Sequence, residues 1–337
     1  MKYTLLPDET SCFLPCGEAS PDGRGQRRLS FYLAMEEHVA RTADEDELFF
    51  MWQVSPSVIF GRNQLIENEV NLDFCRRRGI ATYRRKSGGG CVYADWNNVM
   101  FSYITKSDSV VLTYNKYINM VVWVLRLLGV DARSTGRNDV LIGDRKVSGS
   151  AFYHLPGRSV VHSTMLYDTD MENMTGAITP PGAKLQSKGV ESVRQRVALL
   201  KDYVDIGLEQ FKEHVRRNLC DGELRLTNAD VAAIERLEQD YLSADFVCGN
   251  NPKYTVVKQG RIEGVGDLEM RMELKNGIIR SANLVGDYFL VGEVDAVLKS
   301  LNGVALEADA LRAALPERLD DVILNLEKEQ FINLLLR

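Results

Sequence analysis

The sequence predicts an α+β protein on a mixed or antiparallel sheet, and three observations carry the prediction. Segments with strand character follow one another at residues 48–60, 80–85, 91–104, 138–152 and 159–167 without the regular helical crossovers of a parallel sheet. Amphipathic helical patterns stand among them at 27–42 and 113–128, which predicts helices on one side of that sheet. Past residue 253 the pattern changes to short strands followed by short helices, a second and smaller α+β domain. The expected division is a larger domain over 1–245 and an accessory domain over 246–337.

Over 27–42, Leu29, Leu33, Met35, Val39 and Ala40 recur near helical spacing beside Glu36 and Glu37, which predicts a helix packed on a sheet. Residues 48–60 are rich in Phe, Val, Ile and Trp and contain Pro56, predicting two short strands around a turn that ends at Gly61. Strands over 80–85 and 91–104 flank a glycine-rich loop, and Thr113–Leu128 predicts a helix closed by Gly129. From Met174 to Arg196, glycines and prolines without an apolar period predict a long loop, of the kind that is often functional. Asn228–Leu242 predicts a helix capped by Thr227 or Asn228. After a break at Gly249–Pro252, strands are expected at 254–259, 267–274 and 278–284, then helices near 292–300 and 307–314.

Hydrophobic residues at 45% and charged ones at 26% of 337 are enough for a packed core and exclude disordered, collagen-like and coiled-coil classes. The net charge of −6 has the wrong sign for a chain whose whole surface grips nucleic acid, although a local basic site stays open. The longest apolar stretch, Met120–Leu125, stops at Arg126, far short of the roughly 18 residues of a membrane span. Pro7, Asp8 and Glu9 interrupt the N-terminus before a signal-peptide apolar run, so a cytoplasmic address is expected. Cys12, Cys16, Cys75, Cys91, Cys220 and Cys248 are scattered and the four histidines lie far apart, which predicts free thiols and no zinc cluster.

The sharpest local feature is Arg84-Arg85-Lys86-Ser87-Gly88-Gly89-Gly90-Cys91-Val92-Tyr93. Three successive glycines let backbone N–H groups approach an anion closely, and phosphate is the natural guest. The loop joins two strands and lacks the Gly-Lys-Ser/Thr ending of a P-loop; a mobile hairpin tip with a solvated basic flank is the alternative, against which the arginine pair weighs. A second feature runs Gly136-Arg137-Asn138-Asp139, then Asp144 to Ser150. Lys146 followed by Ser148 and Gly149 suits an ammonium beside a carboxylate or phosphate at exposed backbone; a turn with solvated charges is the alternative. His162, alone on a strand, is by itself a satisfied core side chain as readily as a functional one, and Lys184, Lys188, Arg194 and Arg196 read most simply as solvent-facing. With no Ser-His-Asp or Cys-His set, electrostatic handling of a phosphorylated reactant is favoured over nucleophilic protein chemistry.

Taken in order, these stretches resemble the lipoate-protein ligase A family: Leu33–Glu37, Trp52 with Val58–Gln64, Arg84–Asp95, Gly136–Asp139, Asp144–Ser150, His162–Leu166 and Lys188–Arg196. The resemblance covers about residues 25 to 205, and Asn251–Thr255 with Asp287–Phe289 resemble the family's C-terminal accessory domain. It implies the fold of biotin protein ligases and class II aminoacyl-tRNA synthetases. The implied reaction has two halves: ATP and lipoate give lipoyl-AMP and pyrophosphate, and the lipoyl group then passes to an acceptor lysine. Implied acceptors are lipoyl domains of 2-oxoacid dehydrogenase acyltransferase subunits and the glycine cleavage H protein. Arg85, Gly90, Cys91, Val92, Tyr93, Asn138 and Asp139 fall on ATP positions, with Mg2+ implied alongside ATP and Asp139 near Lys146 or that ion. Lys146 falls on the catalytic lysine between the lipoate carboxylate and the α-phosphate, while Leu33, Trp52, Ser87 and His162 fall around the lipoyl tail. Lys188 lies in the implied adenylate-covering loop. Two positions depart from the family's pattern: Ala94 replaces the usual His before Asp95, and Ser163 replaces a glycine after His162. Two other classes stay in view, an ATP-independent octanoyl or lipoyl amidotransferase using a cysteine, and a non-catalytic lipoate-binding protein. The first lacks its cysteine at Gly136–Asp139, and retention of Lys146 weighs against the second.

Overall fold

A computed structural model of the protein describes residues 1–8, 27–64, 66–107, 109–135, 138–178, 196–248 and 256–336. The chain forms two compact units, one of Met1–Ile59, Val70–Tyr83 and Val92–Ser243, the other of Phe60–Glu69, Arg84–Cys91 and Ala244–Arg337.

The first unit is built on an eight-stranded sheet in the order Gly222–Arg225, Lys2–Leu5, Glu47–Trp52, Asn98–Thr105, Arg158–Leu166, Arg145–Leu155, Asp139–Ile142, Ala132–Ser134. The first three strands run parallel and the rest pair antiparallel, so the sheet is mixed, as the sequence predicts. Helices cover both faces, however, not one. His162 meets Glu36 of the Leu29–Thr42 helix, whereas its neighbour Ser163 meets Tyr117 of the Val110–Arg126 helix, and successive strand residues point to opposite faces. The physical reason lies in the central strands: Asn98–Thr105 and Arg158–Leu166 are buried at every position, so neither face can be left to water.

Two expected strands are each divided. The 91–104 segment breaks at Asp95, whose Oδ1 accepts the Asn97 N–H at 2.9 Å. Val92–Ala94 then joins a separate three-stranded sheet with Ser57–Phe60 and Ala81–Arg84, and Asn98–Thr105 enters the large one. The 138–152 segment turns at Gly143, whose φ of +59° admits a glycine most easily. The start of the expected Met174 loop is helical instead: Met171–Ala177 forms a helix capped by the Asp170 side chain, and Gly176 is needed there because a Cβ would sit 2.3 Å from the Phe74 ring. Residues 179–195, including Lys188, lie outside the described residues, as do Gly136, Arg137 and 251–255.

The second unit carries an antiparallel meander of Val256–Ile262, Gly266–Lys275 and Ile278–Asp287. Met270, Met272, Ile279 and Leu284 from the meander and Tyr288 just after it pack with Leu301, Leu311, Phe331 and Leu335 from the segment that follows. The excursion Phe60–Glu69 joins it through Gly286 N–H to Asn63 O at 2.8 Å, and the glycine loop through Gly89 N–H to Tyr288 O at 2.9 Å. Among the described residues, no helix is long and apolar enough to cross a membrane.

Candidate active site

In the first unit, Lys146 is the second residue of the long strand Arg145–Leu155 and Asp139 opens its neighbour. Period-two alternation alone would put Lys146 and Gly149, three residues apart, on opposite faces of the sheet. The register shifts between Val140, paired with Ser148, and Leu141, paired with Lys146, leaving Val147 as the extra residue. That bulge turns Lys146 onto the face of Asp139 and Gly149, which are themselves register partners. Lys146 Nζ lies 2.8 Å from Asp139 Oδ1, both groups being partly exposed. A Cβ on Gly149 would stand 2.5 Å from Lys146 Cε and 2.6 Å from Nζ, so this glycine is where the ammonium rests. The backbone there is held from both sides: Ser150 N–H donates to Asn138 O and Ala198 N–H to Lys146 O, each at 2.8 Å.

The same face continues across the sheet. Gly149 pairs with Thr164, Thr164 with Met100 and Met100 with Trp52, while one pair further along Ala151, His162 and Ser102 form a parallel row. At about 4.8 Å per strand spacing, the row from Gly149 to Trp52 spans about 14 Å. Between Lys146 at one end and Trp52 at the other, the two rows carry Gly149, Thr164 and Met100 in one and Ala151, His162 and Ser102 in the other. Leu33, buried, sits one helical turn before Glu36, which contacts His162 and Ser102. Three of the expected residues, Lys146, Trp52 and His162, thus share one face of the sheet, and Leu33 belongs to the helix whose Glu36 meets that face. Val92 and Tyr93 are in this unit too, paired to Ile59 and Val58, and the Tyr93 side chain is buried.

In the second unit, the glycine loop is shaped by its own arginines. Buried Arg85 donates to Ser87 Oγ at 2.8 Å, Gly88 O at 2.6 Å and Gly90 O at 2.7 Å. Arg84 Nη1 donates to the carbonyls of Gly61, Arg62 and Gln64, and its guanidinium lies 4.6 Å from the Phe60 ring centre. The pair read from sequence as an anion-binding flank therefore builds the loop by clasping carbonyl oxygens. Gly88 is required by close approach, since a Cβ would stand 2.4 Å from Tyr288 O, and Gly89 adopts φ +83°. Beside Gly90 is the Asp287 carboxylate, 3.2 Å from a Cβ built there. Burial and Asp287 push the Glu69 carboxyl up to about 7, against a hydrogen bond from Gln64.

Sequence reasoning did not single out Ser102 or give Glu36 a role, although an acidic residue within an apolar helical stripe is a readable signal of burial. Among the described thiols, burial pushes Cys75 up and Cys220 up to about 12, away from the reactive thiolate.

Residues 29–220 match the family model described as lipoyl protein ligase A/B catalytic domain, and residues 251–335 that of the bacterial lipoate protein ligase C-terminus. The chain is 32% identical over 320 residues to lipoate-protein ligase LplJ of Bacillus subtilis, covering 90% of this chain and 95% of that protein. It is also similar to the solved bi-partite lipoate protein ligase of Thermoplasma acidophilum, described with its E2 lipoyl domain, at 29% identity and a TM-score of 0.61 over 67% of this chain and 94% of that one. A lipoate-protein ligase A structure bound with ATP is similar at 26% identity and a TM-score of 0.58, over 65% and 94%.

Proposed function

The chain belongs to the lipoyl protein ligase A/B family, and from that premise we propose that it is an ATP-dependent lipoate-protein ligase acting in two half-reactions at Lys146. In the first, a lipoate carboxylate oxygen attacks the α-phosphorus of ATP, and the bond to the leaving pyrophosphate breaks, giving lipoyl-AMP. In the second, the ε-amine of an acceptor lysine attacks the acyl carbon, AMP leaves with the bonding pair, and the amine loses its proton as the amide forms.

The observation that carries this reading is the ammonium of Lys146 resting over Gly149, 2.8 Å from Asp139, at the head of a surface about 14 Å long. Adenylation brings two anions together, and a fixed cation between them offsets their repulsion and stabilises charge developing at phosphorus. Asp139 holds the ammonium in place without occupying the groove. The lipoyl chain runs from Lys146 along the row toward Trp52, against Leu33 and His162, with Ser87 assigned to the tail by the family's pattern. Arg85, Gly90, Cys91, Val92, Tyr93, Asn138 and Asp139 are assigned to the nucleotide; Arg85 serves by shaping the glycine loop, and Tyr93, its side chain buried, offers backbone. Lys188 is assigned to the loop covering the adenylate.

Among the described residues there is no group of three His, Cys, Asp or Glu side chains that could cage a metal. Mg2+ would arrive on the triphosphate keeping most of its water, Asp139 is the carboxylate that would hold it, and it would supply neutralisation of phosphate charge. Residues 1–245 form the catalytic domain and 246–337 the accessory domain on this reading. Acceptors are lipoyl domains, the acyltransferase subunits of 2-oxoacid dehydrogenases and the glycine cleavage H protein, and the cytoplasm is the compartment. Lipoate-dependent pyrophosphate release is the test. Lys146→Ala, folded, is expected to lose about 10² to 10³ in rate, the effect of removing one positioned donor; an unchanged rate rejects the role of Lys146.

A further inference from the structure

A buried acidic side chain meets the same face of the sheet and takes no part in the chemistry above. Glu36 is fully buried, yet both of its oxygens are engaged: Oε1 accepts the Ser102 hydroxyl at 2.6 Å, and Oε2 lies 2.9 Å from His162 Nδ1. Trp52 Nε1 meets Ser102 Oγ at 2.9 Å, and the indole stacks on Tyr32 with ring centres 5.0 Å apart and planes at 10°.

The direction of each bond follows from what each group can do. An indole N–H only donates, so Ser102 Oγ accepts it and turns its own proton to Glu36. Taking Glu36 Oε2 as the acceptor assigns the proton of that contact to His162 Nδ1. The relay thus runs from Trp52 through Ser102 to Glu36, with His162 as the second donor. A buried carboxylate is destabilising unless its oxygens are filled, and an apolar side chain of similar volume would hold the helix to the sheet without that penalty. What the carboxylate supplies beyond packing is orientation of two side chains on the groove face.

We propose that Glu36 is the positioning residue of the acyl-tail groove, fixing the His162 ring with Nδ1 protonated and, through Ser102, the Trp52 indole. The proposal rests on the ligase reading and adds to it the group that makes the tail site rigid before substrate arrives.

The experiment is calorimetric binding of lipoate, octanoate and ATP to the full chain as wild type, Glu36→Gln, His162→Gln and the double variant. Glu36→Gln is expected to weaken lipoate binding roughly tenfold, the effect of one charge-assisted hydrogen bond, and to leave ATP binding unchanged. In the His162→Gln background it adds much less, because the two act as a unit. Glu36→Gln binding lipoate like wild type, or losses that simply add, overturns the proposal. Should Glu36→Gln fail to fold, nitrogen NMR of the wild-type histidine rings decides: a protonated His162 Nδ1 supports the relay and a bare one overturns it. A wild type that binds no lipoate overturns the ligase reading and this proposal together; one that binds it while Glu36→Gln is indifferent overturns only the positioning role.

Discussion

Gly149→Ala perturbs the catalytic lysine without touching it chemically. The new methyl carbon would stand 2.5 Å from Lys146 Cε and 2.6 Å from Nζ. Ordinary carbon contacts begin near 3.5 Å, so the ammonium must retreat by roughly 1 Å. That retreat runs nearly at right angles to its contact with Asp139 Oδ1, which lies 2.8 Å from Nζ and 3.7 Å from the new methyl, so the ion pair lengthens only to about 3.0 Å while the ammonium is carried off its place over residue 149. A displacement of that size at a reacting centre costs about 10² in rate. The fold pays little, because the obstructing group is the tip of a flexible side chain and alanine in a strand is favoured over glycine by about 0.5 to 1 kcal/mol. The assay is lipoate-dependent pyrophosphate release at saturating ATP, with thermal unfolding measured on the same preparation. A wild-type rate in a folded Gly149→Ala protein refutes the argument that this glycine sets the position of Lys146. In a Lys146→Ala background the added methyl is expected to have no effect on rate.

Arg85→Lys replaces a fork that serves Ser87, Gly88 and Gly90 with a single point charge; KM for ATP is expected to rise about tenfold, on the scale of one hydrogen bond to a charged group. Cys91→Ser is expected to retain both pyrophosphate release and transfer from isolated lipoyl-AMP, since adenylation already makes the acyl group electrophilic; loss of transfer with folding intact points to thioester chemistry. Glu69 titrates near 7 in the folded protein against 4.5 ordinarily, raised by burial and Asp287. Its contribution is fully present below pH 4.5 and is lost as pH rises through about 7, so wild type is expected to lose up to about 3 kcal/mol over that window. That figure is an upper bound because solvent reaches the carboxyl, and Glu69→Gln, followed by urea unfolding at a series of pH values, is expected to flatten the slope.

The elements with a clean local period were legible from sequence. Leu29 to Ala40, Asn228–Leu242 and the meander past residue 255 announce themselves within a window of a few turns. Pairing between distant segments was not: Lys2–Leu5 lies beside Gly222–Arg225, and nothing in either short stretch points to the other. Leu208, Phe211, Val215 and Leu219 do fall at helical spacing, so that helix had a signal that sequence reasoning passed over. At the site, Lys146 was found by its motif, but its direction depends on the bulge at Val147, which strand alternation hides. The glycine triplet alone reads as an approach for phosphate. Gly88 and Gly89 also answer to the Tyr288 backbone, a contact some 200 residues away in sequence that only the fold can reveal.

The central claim is that a lipoate oxygen becomes bonded to the α-phosphorus of ATP beside Lys146. Lipoate labelled with heavy oxygen in its carboxylate, incubated with ATP, the protein and a lipoyl-domain acceptor, tests this directly. Mass spectrometry of the AMP is predicted to find one heavy oxygen on its phosphate for each lipoyl-lysine formed. Unlabelled AMP, or lipoylation that proceeds without ATP, contradicts the account.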